Sequence, residues 1–133
     1  MADWYGQARS NYFRVKDESA FRESFRALEV EVITNSEGKV GLLSRADYGG
    51  WPSFIFSEDG DEIDEEVDII EMVSRHLVTD EVAVFVEVGA EKLRYLTGRA
   101  IAVNERNEQR WVDLDSIYEI AREIGENVTV AAY

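Results

Sequence analysis

The chain contains no cysteine, one histidine and one proline. Without cysteine there is no disulfide framework, thiolate nucleophile, iron–sulfur cluster or Cys-ligated zinc. A single histidine, His76, rules out a His-x-x-x-His zinc pair, a two-histidine facial triad and a two-histidine relay. Cations are scarce too: 14 Lys plus Arg stand against 28 Asp plus Glu, a formal net charge of −14. Affinity for phosphate backbones and anionic lipid comes from neutralising cations, so direct binding to nucleic acid or membrane is not expected. No apolar run approaches the roughly 20 residues of a membrane helix. The segment Met1 to Arg9 lacks the basic-then-apolar pattern of a signal peptide, and the expected location is cytoplasmic.

What is present suits one globular domain. With 133 residues, 45% apolar and 32% charged, the chain can bury a core without metal or disulfide staples. Ser10 to Val15 reads as a first strand. Asp17 then caps a helix over roughly 17 to 28, with Phe21, Phe25 and Leu28 on one face. Glu29 to Val32 and Lys39 to Arg45 form a hairpin around Asn35 to Gly38. A further strand follows at Trp51 to Phe56, with Pro52 at its start or on an edge. Val67, Ile70, Val73 and Leu77 predict a second helix over roughly 64 to 78. The alternation of Val82, Val84, Val86 and Val88 with Ala83, Phe85 and Glu87 predicts a strand. Strands at Tyr95 to Val103 and Gln109 to Val112 complete a meander. Asp113 caps a third helix carrying Leu114, Ile117, Tyr118, Ala121 and Ile124 on one face, ended by Gly125; Val128 to Val130 adds a last strand. The expectation is an α+β fold, mainly antiparallel, with three helices in the order β-α-β-β-β-α-β-β-β-α-β.

The charge is unevenly spread. Between Glu58 and Glu81 eleven acids face Arg75, a local net of −10, whereas Met1 to Lys16 is slightly positive. Three readings of the tract stand: first-turn carboxylates that favour the helix dipole and confer solubility, a face for a basic protein surface, or a calcium loop. The EF-hand spacing fails, because Ile63 follows Asp61 and Gly60 falls between Asp59 and Asp61. No Gly-x-Ser-x-Gly elbow, Walker loop or dinucleotide fingerprint occurs, and Ser74 and His76 diverge on a helix. No catalytic, cofactor or metal residue is assigned. Trp4, Tyr5, Tyr48 and Trp51 occupy loop-like positions; Trp51 is a candidate interface anchor, since Trp and Tyr dominate hot spots.

Two stretches, Trp4-Tyr5-Gly6 through Ser10 to Asp17 and Val86 through Gly98, resemble a family of small acidic proteins carried by phages, plasmids and integrated elements. The resemblance spans most of the chain and carries no functional residues. It implies a context, because such accessory proteins often inhibit host defence, as anti-restriction or anti-CRISPR proteins do, by binding. The leading expectation is a non-enzymatic binding protein that occupies a basic site through Trp51, Glu58, Asp59, Asp61, Glu62, Asp64, Glu65, Glu66 and Asp68. An immunity protein or antitoxin neutralising a basic toxin is the alternative, and an enzyme of unknown class a third.

Overall fold

The computed structural model describes residues 4–46, 50–51, 54–56, 62–91 and 95–131. Antiparallel pairing organises it. β1 (Trp4–Ser10), α1 (Glu18–Ser24), β2 (Val30–Thr34), β3 (Val40–Ser44), β4 (Phe54–Phe56), β5 (Glu62–Glu66), α2 (Ile69–His76), β6 (Ala83–Glu91), β7 (Tyr95–Val103), β8 (Gln109–Asp113) and α3 (Ile117–Ala121) follow in order. The six-stranded sheet runs β2-β3-β1-β6-β7-β8, and β4-β5 forms a separate two-stranded sheet. This is the expected α+β architecture, with the expected three helices.

Cross-strand partners point to the same side of a sheet, so the register sorts the side chains into two faces. On one face Leu42, Ala83, Phe85 and Val103 meet Phe21 and Phe25 of the α1 segment and Ile69, Val73 and Leu77 of the α2 segment, forming the core. Phe13 stands edge-on to Phe21 at a centroid distance of 5.8 Å, and Phe21 lies 4.8 Å from Phe25. Both helices are therefore held by aromatic and β-branched burial more than by their own length, since seven- and eight-residue helices are marginal alone.

Local differences from the sequence reading have local causes. The first strand lies at Trp4–Ser10, which places Trp4 and Tyr5 in a strand; beyond Ser10 the chain is tied down by Asn11, bonded to Val84 of β6, and by the isolated bridges Phe13↔Val40 to β3 and Val15↔Leu77 to the end of α2. Asp17 does cap α1, accepting the Ala20 N–H at 3.1 Å, but the helix stops at Ser24, with Phe25 as its C-cap. The second helix starts at Ile69, because Asp68 is extended and accepts the Glu71 N–H at 3.3 Å. A start at 64 would stack Asp64 on Asp68 as a like-charged i,i+4 pair, which disfavours a helix. Glu62–Glu66 instead pairs with Phe54–Phe56 as β5. α3 ends at Ala121, short of Gly125, and the 128–130 segment forms no strand, its neighbour Ala131 donating its N–H to the Tyr118 hydroxyl at 2.8 Å. Pro52 lies outside the described residues.

Candidate interaction surface

The acidic tract divides into parts. Glu58, Asp59 and Asp61 lie outside the described residues; Glu62, Asp64, Glu65 and Glu66 follow one another along the β5 backbone. The two-stranded sheet thus bears the densest charge of the chain and is separate from the main sheet. Asp68, the last acid of the set, is the exposed N-cap of α2. Trp51 is half-buried, its ring edge-on to Phe85 at 5.3 Å, and it packs against the core. It anchors the chain just before the acidic sheet rather than standing out as an isolated knob.

The sole histidine does have a serine partner, but it is Ser24 of α1. Ser24 Oγ and His76 Nε2 are 3.0 Å apart. Ser24 also donates its single proton to the Ala20 carbonyl at 3.0 Å, so the imidazole Nε2–H is the donor of the pair. That polarity is opposite to the one a serine nucleophile requires, where the ring must accept the hydroxyl proton. Burial pushes the imidazole below its ordinary 6.5, Arg75 and Lys16 add to this, and Asp17 opposes it. The pair joins the two helices, with Phe21 edge-on to the ring at 5.4 Å.

The surface that sequence reasoning missed is the second face of the main sheet. Leu43, Arg9, Val86, Ala100 and Val112 form one row across β3, β1, β6, β7 and β8. On either side lie Gln7, Val88 and Gly98, then Val84, Ala102 and Arg110. Val86, Val88 and Val112 are exposed. No acid occupies a position on this face in the described parts of β1, β6, β7 and β8, although 28 of the 133 residues are acidic. Leu114, in the 3-10 turn Leu114–Ser116 that leads to α3, continues the patch: a Cβ built on Gly98 would lie 3.1 Å from Leu114 and 3.5 Å from Val88. The stripe expected to bury the third helix exists, but Ile117 and Ile120 are more than half exposed and Ile124 is 94% exposed. Where β3 diverges from β1 after the Arg9↔Leu43 pair, a groove of about 600 Å³ opens on this face between Gln7, Arg9, Leu43, Arg45, Val86 and Val88. The signal was the run Val82 to Val88, apolar on both strand faces over much of its length.

Among the described residues no helix is long and apolar enough to cross a membrane. Comparison with protein-family models, with curated proteins and with solved structures finds no match to this chain.

Proposed function

We propose that this chain is a non-enzymatic binding protein whose acidic segment, Glu58 to Asp68, occupies a basic site on another protein. The observation that supports this is the concentration of charge on a small separate sheet: among the described residues Glu62–Glu66 pairs with Phe54–Phe56 alone, and the following Asp68 caps α2. A dense block of carboxylates steers a cationic surface toward it and repels acidic competitors. Trp51, packed on Phe85, fixes the base of the segment to the core. The resemblance to acidic proteins of mobile elements points the same way, toward inhibition of a host defence or nucleic-acid-handling complex in the cytoplasm.

The test replaces Asp59, Asp61, Glu62, Glu65 and Glu66 by Asn or Gln and uses both proteins as bait in host lysate, with mass spectrometry. A basic protein retained by the wild type and lost from the neutralised variant is expected, with circular dichroism unchanged. Its association rate with the wild type should fall as salt rises, because screening acts over about 8 Å at physiological ionic strength. Equal capture by the two proteins, or an association rate indifferent to salt, refutes the acidic-site reading.

A further inference from the structure

We infer that the second face of the main sheet, free of acids across β1, β6, β7 and β8, is the contact between two copies of this chain, packed face to face about a twofold axis. The shape of this face is self-complementary. On β6 Val84, Val86 and Val88 make a ridge, and on β7 Gly98, Ala100 and Ala102 make the adjacent trough. A twofold axis running along the strands between β6 and β7 lays each ridge in the other copy's trough, the self-complementarity that an isologous interface needs. Sheets so stacked sit about 10 Å apart.

Charge selects the occupant. A basic partner would be met by carboxylates, and across β1, β6, β7 and β8 this face presents none, its charged members there being Arg9 and Arg110; at the β2 edge Glu31 is paired with Arg45. Two copies that each carry −14 can approach closely without opposing carboxylates only where acids are missing. Exposed Val86, Val88, Leu96 and Val112, continued through Leu114, give the face an apolar centre to bury, and contiguous apolar patches of roughly several hundred Å² often mark interaction sites.

Sedimentation equilibrium of the full chain, at about 1 to 100 µM, tests this. The expected mass is twice 15.2 kDa, and the dimer should tighten as salt rises, the opposite sign to capture of a basic partner. Val86→Glu and Val88→Glu place an acid on an exposed position, so both should fold by circular dichroism and dimerise at least about a hundredfold more weakly. Trp111→Glu, on the opposite face and 67% exposed, should dimerise as the wild type does. A particle of 15.2 kDa throughout the concentration range at low and high salt overturns the inference. So does a dimer that survives both valine substitutions, or one lost equally with Trp111→Glu.

Discussion

Asn11 holds Val84 by both its backbone and its side chain: the Asn11 N–H donates to the Val84 carbonyl at 3.0 Å, and Asn11 Oδ1 accepts the Val84 N–H at 2.8 Å. Its Nδ2 also donates to the Val82 carbonyl at 3.2 Å. The side-chain amide thus imitates one more peptide of β1 after the strand has ended at Ser10. Asn11→Leu removes both side-chain bonds and should lower stability by about 1–3 kcal/mol in chemical denaturation. Asn11→Asp keeps the acceptor for Val84 and should lose less. Equal losses for the two variants would show that the Oδ1 bond is unimportant.

Asp113 closes a capping box: its Oδ1 accepts the Ser116 N–H at 3.0 Å, and its own N–H donates to Ser116 Oγ at 3.3 Å. Asp113→Ala should cost about 1 kcal/mol. Because α3 adds little to the core, the cap's loss should also raise amide exchange in residues 114–121 more than in α1 or α2.

Gly41 and Gly125 make a contrasting pair. A Cβ at Gly41 would lie 2.8 Å from the Asn11 carbonyl oxygen and 3.3 Å from Ser10 Oγ, which itself accepts the Leu42 N–H at 2.8 Å. Gly41→Ala should therefore destabilise by about 1–3 kcal/mol through backbone displacement. Nothing lies within 4 Å of a Cβ at Gly125, and its φ is not in the left-handed region, so Gly125→Ala should be neutral or slightly stabilising. Thermal melts of the two variants compare them directly.

His76 supplies a pH test that no other histidine obscures. Its folded pKa is lowered by burial and by Arg75 and Lys16, so below pH 6.5 the unfolded chain binds the proton more readily than the folded one. The stability tied to the neutral ring is present above 6.5 and is lost as pH falls through the lower, folded value. Lowering the pH from 7.5 to 5 should therefore depress the Tm of the wild type more than that of His76→Gln. The imidazole resonances should titrate with a midpoint below 6.5. A midpoint at or above that value would contradict the burial of the ring between Phe21 and Ser24.

Patterns set by neighbours along the chain were legible in the sequence. Asp17 and Asp113 are caps because an aspartate ahead of an apolar stripe satisfies amides three residues on, whatever the helix packs against. The turn at Asn35 to Gly38 has Gly38 at φ 78°, as a short hairpin turn favours, and the β6–β7–β8 meander follows from period-two alternation and chain order. The concentration of acids between Glu58 and Glu81 is likewise a property of the sequence alone.

Which face of an element becomes core was decided only by the tertiary structure. In Val82 to Val88 both strand faces are largely apolar, so periodicity marks a strand without choosing its inner side. The helices settled the matter by packing on Ala83 and Phe85, leaving Val86 and Val88 exposed. The third helix shows the same limit, since its stripe is real, yet Ile117, Ile120 and Ile124 find no place in a core that α1 and α2 already fill. The Ser24–His76 contact, 52 residues apart in sequence, exists because both helices lie on one side of the sheet. Period and capping are local quantities carried by the order of residues, whereas burial depends on which surfaces compete for the same volume, and that competition is resolved only when the whole chain has folded.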